Sequence, residues 1–268
     1  MRRKAAVAGQ FYQATPERLT YQVQQLSGSY VPKEKALGIL SPHAGLVYSG
    51  SVAGEVYSRI AMPETFVLIG PNHTGLGARI SIMVNGEWEI PTAIFQLDAA
   101  LARRIRSNTS QLSSDDTQAH IFEHSLEVQL PFIAHFAKRS KIVPITIMSA
   151  DLDECRQLGE GIAKSIKETA YPVLIVASSD MSHYVSDDMA RKMDRLAIDR
   201  MTSLDPEGLY QTVRKEHISM CGYLPATVML FAAGSLGSVK ATLVRYVTSA
   251  EVSGDYDNVV GYAGIIIS

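Results

Sequence analysis

Thr65-Phe66-Val67-Leu68-Ile69-Gly70-Pro71-Asn72-His73-Thr74-Gly75 reads as a β-prone run that stops abruptly at a turn. It lacks the polar alternation of a half-exposed strand, so both its faces are expected to be buried, as in the centre of a parallel sheet. Similar Ile- and Val-rich runs recur at 36–40, 80–84, 142–147, 173–177, 241–247 and 259–267. Helical patterns lie at 51–60, 97–107, 125–138, 152–169, 188–203 and 205–216, followed by 225–233. This alternation predicts an α/β fold with a mostly parallel central sheet flanked by helices on both faces. Residues 86–91 suggest a hairpin and 108–118 a polar loop. No repeat, linker or break in composition divides the chain, so one domain over 1–268 is expected.

Three further segments end an apolar run or precede a turn in the same way. They are Leu40-Ser41-Pro42-His43-Ala44-Gly45, Ser178-Ser179-Asp180-Met181-Ser182-His183 and Ser219-Met220-Cys221-Gly222-Tyr223. In α/β proteins the loops at the carboxyl ends of parallel strands meet at one crevice, which would bring His43, His73, Cys221 and the Asp180/His183 pair together. Two imidazoles and a thiolate suffice to hold a transition metal. Asp180 and His183 are spaced for a carboxylate to orient an imidazole, or for acid/base work. Taken singly, each has a plainer reading: His43 and His73 as turn histidines bonded to backbone, Asp180 as a cap, His183 as a surface residue and Cys221 as a small buried hydrophobe. Pro225 starts a helix whose entrance is Cys221-Gly222, where a helix N-terminus would lower the thiol pKa.

Glu123-His124-Ser125-Leu126-Glu127 opens the 125–138 pattern. It can be read as a cluster of Glu123, His124 and Glu127 serving the same cleft, but the local sequence favours a solvated helix start with acids near the positive end of the macrodipole. Cys155 reads as structural, and His120, His135 and His217 as packing or surface residues. The remaining standard motifs are missing: no phosphate loop, dinucleotide fingerprint, nucleophile elbow or His-Glu-x-x-His helix occurs.

Bulk composition excludes other classes. With 268 residues, 46% hydrophobic, 19% charged and a net charge of −2, the chain has the profile of a globular protein with no basic surface for nucleic acid. No apolar stretch is long enough for a membrane span, and the basic start at Met1-Arg2-Arg3-Lys4 lacks a signal-peptide core. Two cysteines without a disulfide framework suit the cytoplasm.

The ordered set of 6–12 (Ala-Val-Ala-Gly-Gln-Phe-Tyr), Pro42-His43-Ala44-Gly45, Gly70-Pro71-Asn72-His73, Glu123-His124-Ser125-Leu126-Glu127, the 178–183 segment, Cys221-Gly222 and Gly261-Tyr262-Ala263-Gly264 resembles the Memo family, named for a mediator of cell motility in animals. The resemblance spans nearly the whole chain. It implies the fold of class III extradiol dioxygenases, non-haem iron enzymes whose metal is held by two histidines and a carboxylate. Carried over, His43 and His73 take the histidine positions, Cys221 the third ligand position, and His183 that of the acid/base histidine beside Asp180, with His124 lining the cleft. A thiolate in place of the carboxylate softens the site. It favours Fe(II) or copper, with zinc as a further choice, and argues against ring opening while leaving a metal-dependent oxidoreductase open. The resemblance also implies radical-SAM and AMMECR-type pathway partners. Its alternative reading is a non-catalytic module that binds a peptide in the cleft, as animal relatives bind phosphotyrosine peptides.

Overall fold

Four parallel strands, buried but for the exposed Lys141 and half-buried Val173 at two of their starts, form the centre of the sheet, in the order Lys141–Ile147, Thr65–Pro71, Val173–Ser178 and Gly38–Ser41. The computed structural model describes residues 1–28 and 31–268. Successive residues point to opposite faces of a strand, and here both faces are covered. Val67, Ile69, Val143, Ile145, Ile175 and Ala177 enter one apolar core, and Phe66, Leu68, Ile142, Leu174 and Val176 enter the other. The first core packs against the helices Ala99–Asn108, Leu152–Lys167 and Tyr223–Leu236. The second packs against Pro16–Leu26, Leu46–Arg59 and Leu130–Phe136. A Cβ on Gly159 would lie 2.7 Å from Val228 O, so glycine is what lets Leu152–Lys167 approach Tyr223–Leu236 so closely.

Antiparallel strands extend both edges of this parallel centre. Ile80–Ile82 pairs with Lys141–Ile147, and Ser114–Asp115, inside the expected polar loop, adds one more strand there. On the other side Val259–Ile267 runs antiparallel to Gly38–Ser41 and also pairs with Ala241–Thr248 and His183–Val185. Because Val259–Ile267 runs backwards, its amino-terminal end, and His183 with it, reaches the carboxyl ends of the parallel strands. The 86–91 hairpin is Glu87–Ile90 with Ala93–Gln96, joined by Arg2–Arg3 into a separate three-stranded sheet.

Several helices differ from the sequence expectation, Leu46–Arg59 among them, which starts five residues ahead of the expected 51–60. Pro16–Leu26 went unread although Thr15 caps it by accepting from Arg18 N–H. The 125–138 pattern yields only a 3-10 turn at Glu127–Gln129 and the helix Leu130–Phe136, because residues 120–129 are instead tied to the N-terminal segment through buried polar contacts. Among the described residues no helix is long and apolar enough to cross a membrane.

Candidate metal centre

The parallel register places Ser41 beside Ser178 and Pro71 beside Ile147, so the turns carrying His43, His73 and Asp180 leave the same end of the sheet. Cys221 arrives there from the start of Tyr223–Leu236. His43, His73 and Cys221 each offer a donor atom, and these atoms lie within 4.8 Å of one another. His43 Nε2 and Cys221 Sγ lie 3.3 Å apart. Metal–ligand bonds of about 2.0–2.3 Å put tetrahedral donors roughly 3.3–3.8 Å apart, so the spacing suits a first-row ion with slight contraction.

Hydrogen bonding fixes which nitrogen of each ring is free. The Ser178 hydroxyl donates to Ser125 O at 2.6 Å and accepts from Gln129 Nε2 at 2.8 Å, which leaves it a lone pair for His43 Nδ1 at 2.9 Å. Gln129 is itself oriented by donating to Pro42 O and accepting from Tyr57 Oη. His43 Nδ1 therefore carries the proton and Nε2 presents its lone pair to the centre. Burial holds the His43 pKa well below its usual value, keeping the ring neutral as a ligand must be.

His73 is set by Glu123. The carboxylate accepts from His73 N–H at 2.5 Å, from Ser125 N–H at 2.8 Å, and faces His73 Nδ1 at 2.9 Å. Burial opposes ionisation of Glu123, but the bonds and charge of His73 and the Ser125 amide outweigh it and bring its pKa down to about 2. An ionised acceptor on Nδ1 again leaves Nε2 free, the carboxylate–histidine arrangement that steadies metal ligands. Glu123 is fully buried, which overturns its reading as a solvated helix start; its neighbour Glu127 is equally buried.

The helix N-terminus does not lower the Cys221 pKa as expected. Burial first, and then the Asp180 charge, push it up. Asp180 N–H donates to Cys221 Sγ at 3.3 Å, and a bound cation would deprotonate the thiol outright. These donors fit a transition ion: two imidazoles with free Nε2 atoms and a sulfur.

Around the donors, His124 stacks on His73 with ring centroids 4.6 Å apart and meets His43 edge-on at 5.5 Å, while Phe11 covers it from the N-terminal segment at 4.8 Å. Burial lowers the His124 pKa. The structure makes no hydrogen bond between Asp180 and His183, so the carboxylate does not orient that imidazole. Asp180 Oδ1 instead accepts from His43 N–H at 2.8 Å and Ala44 N–H at 3.2 Å, fixing the turn. His183 Nδ1 lies 2.9 Å from Ser219 O, a pure acceptor, so its Nε2 is the basic atom. Cys155 is fully buried in the core, as its structural reading required.

Ser178, Gln129 and Phe11 hold the site without having been assigned to it from sequence, and Glu123 entered there only as the less favoured of two readings. One signal was available: polar residues alternate at Glu123, Ser125, Glu127 and Gln129 between Leu126, Val128 and Leu130 in a stretch that forms no strand.

Comparison with known proteins agrees along the whole chain. Residues 3–266 match the family described as Memo-like protein. A MEMO1 family protein of Aquifex aeolicus is 43% identical over 267 residues, covering 98% of each chain. One from Pyrobaculum aerophilum is 41% identical over 276 residues, again 98% of each. The crystal structure of an uncharacterized protein from Escherichia coli K12 shares the fold with a TM-score of 0.56 at 16% identity, covering 87% of this chain and 100% of that one.

Proposed function

This chain belongs to the Memo-like family, and from that premise we propose that it is a transition-metal protein with redox function. His43, His73 and Cys221 hold iron or copper, and the small molecule acted on sits in the cleft beside them, in the cytoplasm. One observation carries the reading: both imidazoles spend Nδ1 on fixed partners, and His43, His73 and Cys221 each offer a donor atom within 4.8 Å of the others. A bound ion would supply electron transfer or Lewis acidity there. The thiolate favours copper or tightly held iron over the carboxylate chemistry of ring opening. Zinc as a purely structural ion fits less well, since structural sites normally have four protein ligands and this donor set has three.

The chain's own groups do the rest. Asp180 fixes the turn that aims His43, and Glu123 keeps His73 in one tautomer. To His183 Nε2 and the His124 ring we assign the taking and returning of protons, with Phe11 packed against His124. The test is metal content by mass spectrometry after anaerobic, reducing purification. Near-stoichiometric iron or copper is expected in the wild type and its loss in His43→Ala, His73→Ala and Cys221→Ala. A wild-type protein that takes up no metal even after reconstitution sinks the reading.

A further inference from the structure

A cavity of about 290 Å³ opens beside the donors, bounded by His73, Cys221, Ile147, Leu224, Pro225 and Arg214. It is near the lower size limit for small-molecule sites. No Asp or Glu lines it, so Arg214 is its one formal charge. Arg214 comes from the last turn of the helix Pro206–Lys215. The acids around that helix are engaged elsewhere: Asp205 by Arg200, Glu207 by Arg156 and Glu216 by Lys215. Among the described residues Arg214 makes no ion pair. Its guanidinium is nevertheless positioned, lying 5.4 Å over the Tyr210 ring, which in turn packs on Tyr223 at 5.8 Å.

Three neutral polar side chains also line the cavity, and each has a partner, the Tyr223 hydroxyl being hydrogen-bonded to Arg214 itself. Asn72 donates to Leu76 O and accepts from Thr74 N–H, and Ser149 Oγ accepts from Arg79 Nε. What is left to recognise a ligand is one held cation, an apolar wall of Ile147, Leu224 and Pro225, and the donors His73 and Cys221. We infer that the cavity binds a small organic monocarboxylate with a flat apolar body, its carboxylate on Arg214 and its body against that wall. The planar guanidinium fork matches a carboxylate in a bidentate pair. A phosphate group is normally gripped by a cluster of basic groups, and here there is one. The inference rests on the metal-centre reading, since His73 and Cys221 line the same cavity and the bound anion would be the molecule presented to them.

Benzoate serves as the probe, titrated calorimetrically into the full chain, with benzamide and phenyl phosphate as comparators and metal content measured on the same samples. Saturable benzoate binding is expected, weakened roughly tenfold or more in Arg214→Ala and for benzamide, and partly retained in Arg214→Lys. Arg214 is exposed, so these variants should fold, and their metal content should match the wild type. Unchanged binding in Arg214→Ala, no saturable benzoate binding, or tighter Arg214-dependent binding of phenyl phosphate overturns the inference. The two readings fail separately. Metal-free protein that binds benzoate through Arg214 upholds the pocket and sinks the metal centre, whereas metal-loaded protein indifferent to benzoate does the reverse.

Discussion

Two clusters of ionisable side chains touch Glu123, one buried throughout and one open to solvent at His73, and they differ in what they leave unspent. In the first, the Arg3 guanidinium lies 4.2 Å over Trp88, donates to His120 O and Glu123 O at 2.7 Å each, and pairs with Glu127. Glu127 also accepts from Ala6 N–H at 2.8 Å, Val7 N–H at 3.1 Å and Tyr12 Oη at 2.5 Å. Its carboxylate is saturated and the knot is closed. In the second, His43, His73 and Cys221 are held as firmly by Ser178, Glu123 and Asp180, yet two ring nitrogens and a sulfur converge without being used up. Burial of charge marks both regions, so burial alone does not identify a site. Donors that remain free after their partners have been assigned do.

The largest effect should come from opening the closed knot. Glu127→Gln removes the charge opposite Arg3 and sets an amide N–H₂ against donors. Breaking one partner of a buried pair costs about 3–5 kcal/mol, and urea unfolding should show a loss of that size. A loss under about 1 kcal/mol would mean the knot is dispensable and would erase the contrast with the metal donors. If the variant folds under stabilising conditions, it should still take up metal, because no donor has changed.

A pH titration of stability probes the same knot next to His120, whose ring lies 5.9 Å from Trp88. Burial first, and then the Arg3 charge, lower the His120 pKa from 6.5 to about 4, against weaker opposing pulls from Asp116 and Glu123. Below pH 6.5 the unfolded chain binds a proton that the folded chain refuses, so the unfolded state gains. Stability contributed by the neutral ring is complete above pH 6.5, falls as the pH drops, and is lost by about pH 4, a span on the order of 3 kcal/mol. His120→Gln should flatten that slope. A wild-type slope that His120→Gln leaves unchanged would place the acid sensitivity elsewhere.

How much of this the sequence disclosed depends on the distance over which each residue is held. The central strands were legible because Thr65–Pro71 and its neighbours carry their burial in their own composition. His43 and His73 were legible as candidates because each follows a strand through a Pro- or Gly-containing turn, and the topology then brings Cys221 to them. The antiparallel edge was not, since Val259–Ile267 looks the same locally whichever way it runs. Glu123 is misleading for a related reason: in a window of ten residues it resembles a first-turn acid, and only Arg3 and His73, 120 and 50 residues away, show it to be tied into the interior. Nothing in its local sequence marks Arg214; what gives it meaning is a cavity shared with Cys221.

Glu123 belongs to both clusters, and the smallest predicted effect tests which of them governs it. Its backbone carbonyl serves the knot through Arg3, while its carboxylate serves His73. Glu123→Gln keeps the backbone contact and the side-chain shape but loses the charge that holds the proton on His73 Nδ1. Partners of this kind typically alter metal affinity 10- to 100-fold, about 1.4–2.7 kcal/mol. Competition with a chelator should therefore show metal bound 10- to 100-fold more weakly in Glu123→Gln, while the urea midpoint of the metal-free protein moves far less than in Glu127→Gln. The reverse pattern, a large loss of stability with metal affinity intact, would assign Glu123 to the knot and leave His73 without a dedicated partner. Because the two substitutions are the same chemical change four residues apart, any difference between them reports the surroundings and not the residue type.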